Sequence, residues 1–180
     1  MDKTLSQYNQ IVTICRGIFE KKMKDYGTAW IILRPISVTD QILIKAKRIR
    51  NIELNKVQLI DDDIRSEFIG IVNYGVIGLI QVETNAELPL NLDPAKALSL
   101  YDEHIIHARD LMTNKNHDYG EAWRSMRISS FTDLILMKIY RTKQIEDNDG
   151  KTMISEGVAA NYMDMINYAM FALIKTDFND

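Results

Sequence analysis

The chain has 180 residues, 46% hydrophobic and 26% charged, with a net charge of −3 and a pI near 5.6. That balance suits a soluble globular protein with a sizeable core, and its faint acidity excludes a general electrostatic attraction to DNA, RNA or anionic lipid. Cys15 is the single cysteine, MDKTLSQYNQ carries no apolar signal region, and no run approaches the ~18 apolar residues of a membrane span, so a cytoplasmic protein away from the membrane is expected.

Apolar residues at helical spacing predict helices over roughly 4–24, 38–54 and 61–84, the last opening on the acidic run Asp61-Asp62-Asp63. A connector follows at 85–93, rich in turn formers and ending in Asp93. Asp93 suits an N-cap and Pro94 the first helical position of a fourth helix, which Gly120 would end in a left-handed turn. A short turn is expected around Ala122–Arg124. Ser130 or Thr132 would then cap a helix over roughly 132–147, and after the turn Asp147-Asn-Asp-Gly150 a last helix would run over roughly 152–176. No segment alternates at period two, so the class is all-α.

The two halves are copies. Residues 25–53 align without gaps on 118–146 with 15 of 29 positions identical, where chance gives roughly two. The match resumes at 66–80 over 160–174. The expected architecture is a helical bundle of two tandem, pseudo-two-fold-related repeats of about three helices each. Repeat one spans 1–84, the linker 85–93 and repeat two 94–180, packed as a single compact domain around a shared core.

Drift in a duplicated chain spares apolar spacing rather than particular polar side chains, so the polar pairs that both copies kept are informative. They are Arg16/Arg109, Lys22/Lys115, Asp25/Asp118, Arg34/Arg127, Thr39/Thr132, Asp40/Asp133, Lys45/Lys138, Arg48/Arg141, Glu53/Glu146 and Asn73/Asn167. Lys138 and Arg141 share a helix face and suit a phosphate; the competing reading is a salt-bridge network to Asp133, Glu156 or Asp164. Asn161, Asp164, Asn167 and Tyr168 form a polar stripe on the last helix, with Glu156 two turns before Asp164 near the same side; the carboxylates could hold Mg²⁺ or simply be hydrogen-bonded within the bundle. Repeat one offers Asp62 for Glu156 but Gly70 for Asp164, which favours repeat two as the metal site. In Asp118-Tyr119-Gly120-x-x-Trp123, and in Asp25-Tyr26-Gly27-x-x-Trp30, the aromatics could stack on a nucleobase or wedge the turn against the core. His104, His107 and His117-Asp118 suggest a His/Asp metal site only superficially, since repeat one has no histidine at equivalent places. Cys15 reads as a buried apolar residue.

The pattern Lys115-x-x-Asp118-Tyr119-Gly120-x-x-Trp123, then Arg127, Asp133, Lys138-x-x-Arg141, Glu156 and Asp164-x-x-Asn167-Tyr168 resembles the nucleotide-modification-associated domain 1 family of bacteria and phages. Its name records association with phage nucleotide-modifying genes. Repeat one resembles it too, from Lys22 to Tyr74, less the second carboxylate. More loosely, the architecture is similar to the all-α nucleoside triphosphate pyrophosphohydrolases, which bind Mg²⁺ through carboxylates of neighbouring helices; where they carry Glu-x-x-Glu this chain has Lys138-x-x-Arg141.

The family resemblance implies little chemistry by itself; the kept residues and the looser resemblance together give the expectation of a nucleotide-binding, Mg²⁺-dependent hydrolase of phosphoanhydride bonds. Asp118, Glu156 and Asp164 would serve as metal ligands and catalytic groups. Lys115, Tyr119, Trp123, Arg127, Lys138, Arg141 and Asn167 would bind the nucleotide. The repeat-one equivalents are Lys22, Asp25, Tyr26, Trp30, Arg34, Lys45, Arg48, Asp62 and Asn73. The alternative is a non-catalytic binding or interaction module whose kept charges are structural. A homodimer is left open.

Overall fold

The computed structural model describes residues 2–55 and 63–179, and among these every regular element is helical. In repeat one, α1 (Asp2–Tyr26), α2 (Pro35–Asn55) and α3 (Ile64–Glu83) follow one another, with a single 3-10 turn at Ala29–Ile32. In repeat two, α4 (Pro94–Tyr119), α5 (Ile128–Asp147) and α6 (Val158–Phe178) repeat the order, with a 3-10 turn at Ala122–Ser125. Among the described residues no helix is long and apolar enough to cross a membrane.

Composition decides which helices take the centre. α3 and α6 are apolar nearly all round, and they pack on each other with α2 against α3, α5 against α6, and α2 against α5. A helix with so little polar surface must be covered on nearly every side, so these two become the axis of the bundle. They approach closely: a Cβ added at Gly78 would lie 2.7 Å from the ring of Tyr162. α1 and α4 close the remaining sides, each touching the central helix of the other repeat as well as its own. One continuous buried cluster draws on both repeats, including Tyr8, Ile42 and Phe68 of the first and Tyr101, Ile135 and Tyr162 of the second.

Helix ends follow local chemistry. Asp93 accepts the Lys96 amide ahead of Pro94, and Gly120 ends α4 at φ +60, a left-handed turn that Gly27 matches at φ +66. Asp63 caps α3 by accepting the Ser66 amide, whereas Asp61 and Asp62 lie outside the described residues.

Three expected boundaries move. α2 and α5 begin at Pro35 and Ile128 rather than near 38 and 132. Proline with its fixed φ starts α2, and Thr132 lies inside α5, its hydroxyl turned to Glu53 instead of capping. α6 begins at Val158 rather than at 152, because Met153 and Ile154 are apolar yet fully exposed and give a helix nothing to pack. Glu156 therefore precedes α6 and does not belong to its polar stripe.

Candidate functional site

The kept polar pairs separate into two groups, and the first group joins the repeats. Asn73 on α3 donates to the Cys15 carbonyl of its own repeat at 3.1 Å and accepts from the Tyr101 hydroxyl of the other at 2.8 Å. Asn167 on α6 does the same with the Ala108 carbonyl at 2.9 Å and the Tyr8 hydroxyl at 2.8 Å. Thr39 donates to Glu146 at 2.7 Å and Thr132 to Glu53 at 2.9 Å, again crossing between repeats in both directions. Asp40 pairs with Lys143 and Asp133 with Arg50, while Arg16 binds Asp102 through two bonds and Arg109 reaches Asn9. This reciprocity is what an approximate two-fold axis requires. Asn73 and Asn167 are buried with both amide ends occupied in the frame, and Asn73 also lines a cavity in repeat one.

Glu53 and Glu146 sit in that frame at a cost. Burial raises both carboxyls above the usual range, and the hydroxyl each accepts lowers them only in part.

The second group gathers where α1 and α3, or α4 and α6, meet the Asp-Tyr-Gly turn. In repeat two, Asp164 is buried and takes Lys115 Nζ on Oδ1 and Lys138 Nζ on Oδ2, both at 2.6 Å. Burial lowers the Lys115 pKa, but the hydrogen bond and charge of Asp164 outweigh it and hold the ammonium above its usual range. Burial likewise lifts the Tyr168 hydroxyl, with Asp164, Lys115, Arg141 and Tyr119 all within electrostatic reach. Trp123 is buried and stacked on Phe171 with centroids 4.3 Å apart, which is the wedge of the two sequence readings; Tyr119 is exposed and takes no part in that stack.

Repeat one arranges the same residues around open space. A cavity of about 320 Å³ is lined by Lys22, Lys45, Tyr26, Trp30 and Tyr74 over an apolar floor that includes Phe19, Ile69 and Ile77. Gly70 stands where repeat two has Asp164, and the Lys45 chain lies across it: a Cβ added there would meet Lys45 Cε at 2.6 Å. Lys45 turns instead to Glu67, at 3.2 Å, and Glu67 also binds Arg48. Lys22 is exposed and forms no ion pair among the described residues.

Glu67 is the residue that alignment misses. It lies one helical turn before Gly70, and its aligned partner is Asn161, so each repeat has one buried carboxylate on this face but one turn apart. Reading both candidate positions together on the helix face reveals it; comparing single columns does not. Tyr8 and Tyr101, also kept, were missed because a buried tyrosine reads as core until its hydroxyl partner is known.

The other expected site residues are dispersed. Asp118 is exposed and sits 3.1 Å from the His117 ring, and Asp25 is likewise exposed. Glu156, with Lys138, Arg141 and Asn161, lines a broad open groove between α5 and the 148–156 loop. Arg34 and Arg127 are exposed just ahead of α2 and α5. Asp62 lies outside the described residues. Asp118, Glu156 and Asp164 are thus not brought together, and among the described residues no three His, Cys, Asp or Glu side chains form a metal-holding group. His104 is buried with Nε2 2.8 Å from the Glu83 carboxylate, well away from the His117–Asp118 pair in sequence and in exposure. Cys15 is buried, as its reading required.

Comparison with known proteins gives one match. The family model described as nucleotide modification associated domain 1 aligns twice, to residues 22–82 and 115–176. No curated protein and no solved structure matches the chain. The two aligned segments open on the kept lysines Lys22 and Lys115 and together cover more than half of the sequence, so the chain belongs to the nucleotide modification associated domain 1 family, as a tandem duplicate.

Proposed function

We propose that this protein binds a small phosphorylated molecule of the nucleotide class through the kept lysine and tryptophan cluster, without hydrolysing it. The observation that carries the reading is the Asp164 carboxylate, one oxygen on each of two kept lysines at 2.6 Å. Two ammonium groups converging on a two-oxygen anion are built for a carboxylate or a phosphate, and the neighbouring indole supplies an apolar face for a ring. The frame pairs account for Asn, Thr, Glu, Asp40/Asp133 and Arg16/Arg109 without any ligand, which leaves the kept cations Lys22/Lys115, Lys45/Lys138, Arg34/Arg127 and Arg48/Arg141 beside the tryptophan as the part of the kept pattern that the crossing bonds do not use.

The Mg²⁺-dependent hydrolase reading needs carboxylates with charge to spare. Asp164 is matched by two cations, and Asp118 and Glu156 lie on separate exposed segments, which supports binding over hydrolysis.

Thermal unfolding screened against deoxynucleoside mono- and triphosphates, with and without Mg²⁺, tests this. At ligand a hundredfold above Kd the stabilisation is about 2.7 kcal/mol, a rise of roughly 5–10 °C for a chain of this size. The expected result is such a rise with at least one nucleotide, independent of Mg²⁺ and without pyrophosphate release. No rise with any nucleotide, or Mg²⁺-dependent pyrophosphate release abolished by Asp118→Asn or Glu156→Gln, would overturn it.

A further inference from the structure

Resting on the reading just given, we infer that the two repeats have parted roles: repeat one takes the ligand, one per chain and through a single phosphate group, while repeat two is closed by its own side chains, Asp164 standing where the phosphate would lie.

Asp164 shows what the two kept lysines hold when an anion is present: two oxygens of one small group, each at 2.6 Å. In repeat one the residue at that place is Gly70, so among the described residues no carboxylate bridges the two lysines there, and both Lys22 and Lys45 line the cavity. Lys45 leans instead on Glu67, which Arg48 also binds, so Lys45 can leave for a ligand and Glu67 stays paired. Lys22 stands on this cavity with no ion pair among the described residues, a charge that favours an incoming anion, whereas its counterpart Lys115 is already matched by Asp164.

The apolar half of the site has parted in the same way. In repeat two Phe171 covers Trp123 at 4.3 Å, nearly parallel at 8°. Its aligned residue in repeat one is Ile77, which lines the cavity beside Trp30 and leaves the indole without such a stacked ring. A planar base would take the place that Phe171 fills in the other repeat. The volume sets the ligand class: about 320 Å³ is at the lower end of the roughly 300–1,000 Å³ of small-molecule sites, room for a mononucleotide and not for a dinucleotide.

Isothermal titration of the intact chain with the four 5′-deoxynucleoside monophosphates, the matching triphosphates and inorganic phosphate tests the assignment. The expected result is one equivalent of monophosphate bound per chain, at least tenfold tighter than inorganic phosphate and no weaker than the triphosphate. Gly70→Asp, which writes the repeat-two carboxylate into repeat one, should reduce affinity at least tenfold while raising Tm, whereas the uncharged Gly70→Asn should lose clearly less. Lys22→Met, at an exposed position, should also lose at least tenfold with Tm unchanged, and it decides the matter if the Gly70 variants do not fold. Two equivalents per chain, binding that survives both Gly70→Asp and Lys22→Met, equal losses in Gly70→Asp and Gly70→Asn, or a tenfold preference for triphosphate would overturn this assignment and leave nucleotide binding standing. Absence of heat with every nucleotide would overturn the binding reading itself.

Discussion

Repeat one and repeat two share a frame down to individual hydrogen bonds, yet differ where a small molecule could enter. Asn73 and Asn167 make the same two bonds to equivalent partners, and Thr39 and Thr132 cross to equivalent glutamates. Among the aligned positions that differ, three carry the contrast: Glu67 against Asn161, Gly70 against Asp164, and Ile77 against Phe171. Moving one carboxylate by a turn and adding one ring replaces the cleft beside the tryptophan with an ion pair and a stacked ring. After duplication, the groups that hold two copies together are constrained in both, whereas a site is needed only once.

The comparison can be broken most strongly at the buried carboxylates. Asp164→Asn leaves Lys138, 8% exposed, without a counter-charge, and should cost roughly 3–5 kcal/mol. Glu67→Gln leaves Lys45 and Arg48, whose side chains are each 25% exposed and reach water, and should cost only about 1–2 kcal/mol. Chemical denaturation of the two variants reads the difference directly; equal losses would show that the repeats are electrostatically alike after all.

The frame should behave oppositely, with equal effects in the two halves. Asn73→Ala strands the Cys15 carbonyl and the Tyr101 hydroxyl, and Asn167→Ala strands the Ala108 carbonyl and the Tyr8 hydroxyl. Each should cost about 2–4 kcal/mol, and the two values should agree within about 1 kcal/mol by urea unfolding.

A smaller effect sharpens the picture of the crossing glutamates. Burial raises the folded pKa of Glu53 and Glu146 above the ordinary 4.5. The folded state therefore holds its protons more tightly than the unfolded chain in the window just above that value. Stability from these groups is full below pH 4.5 and falls as pH rises through their raised pKa. Denaturation midpoints followed from pH 4 to 7 should decline less steeply in Glu53→Gln/Glu146→Gln than in the parent chain; parallel curves would contradict the assignment.

Much of the fold was legible because helical periodicity and an internal duplication are both local, countable signals. The ends of α5 and α6 were not, since a threonine that resembles a cap is recruited across the axis and two apolar residues, Met153 and Ile154, stay in solvent. At the site, Lys22, Lys45 and Trp30 stood out as kept pairs. What the alignment hid was the displacement of a carboxylate by one helical turn, which makes repeat two look better furnished with acid than it is with unmatched charge. Nor does a kept polar residue announce whether it faces a ligand or the other repeat; only the reciprocal bonds of Asn73 and Asn167 separate the two.

The chain has two tryptophans, one per repeat, so each site carries its own reporter. Emission from the single-tryptophan variants Trp123→Phe and Trp30→Phe, titrated with a 5′-deoxynucleoside monophosphate, is the most direct measurement. Saturable quenching of Trp30 with Trp123 unmoved is the predicted result; a response of Trp123 equal to that of Trp30, or of Trp123 alone, would contradict the division between the repeats.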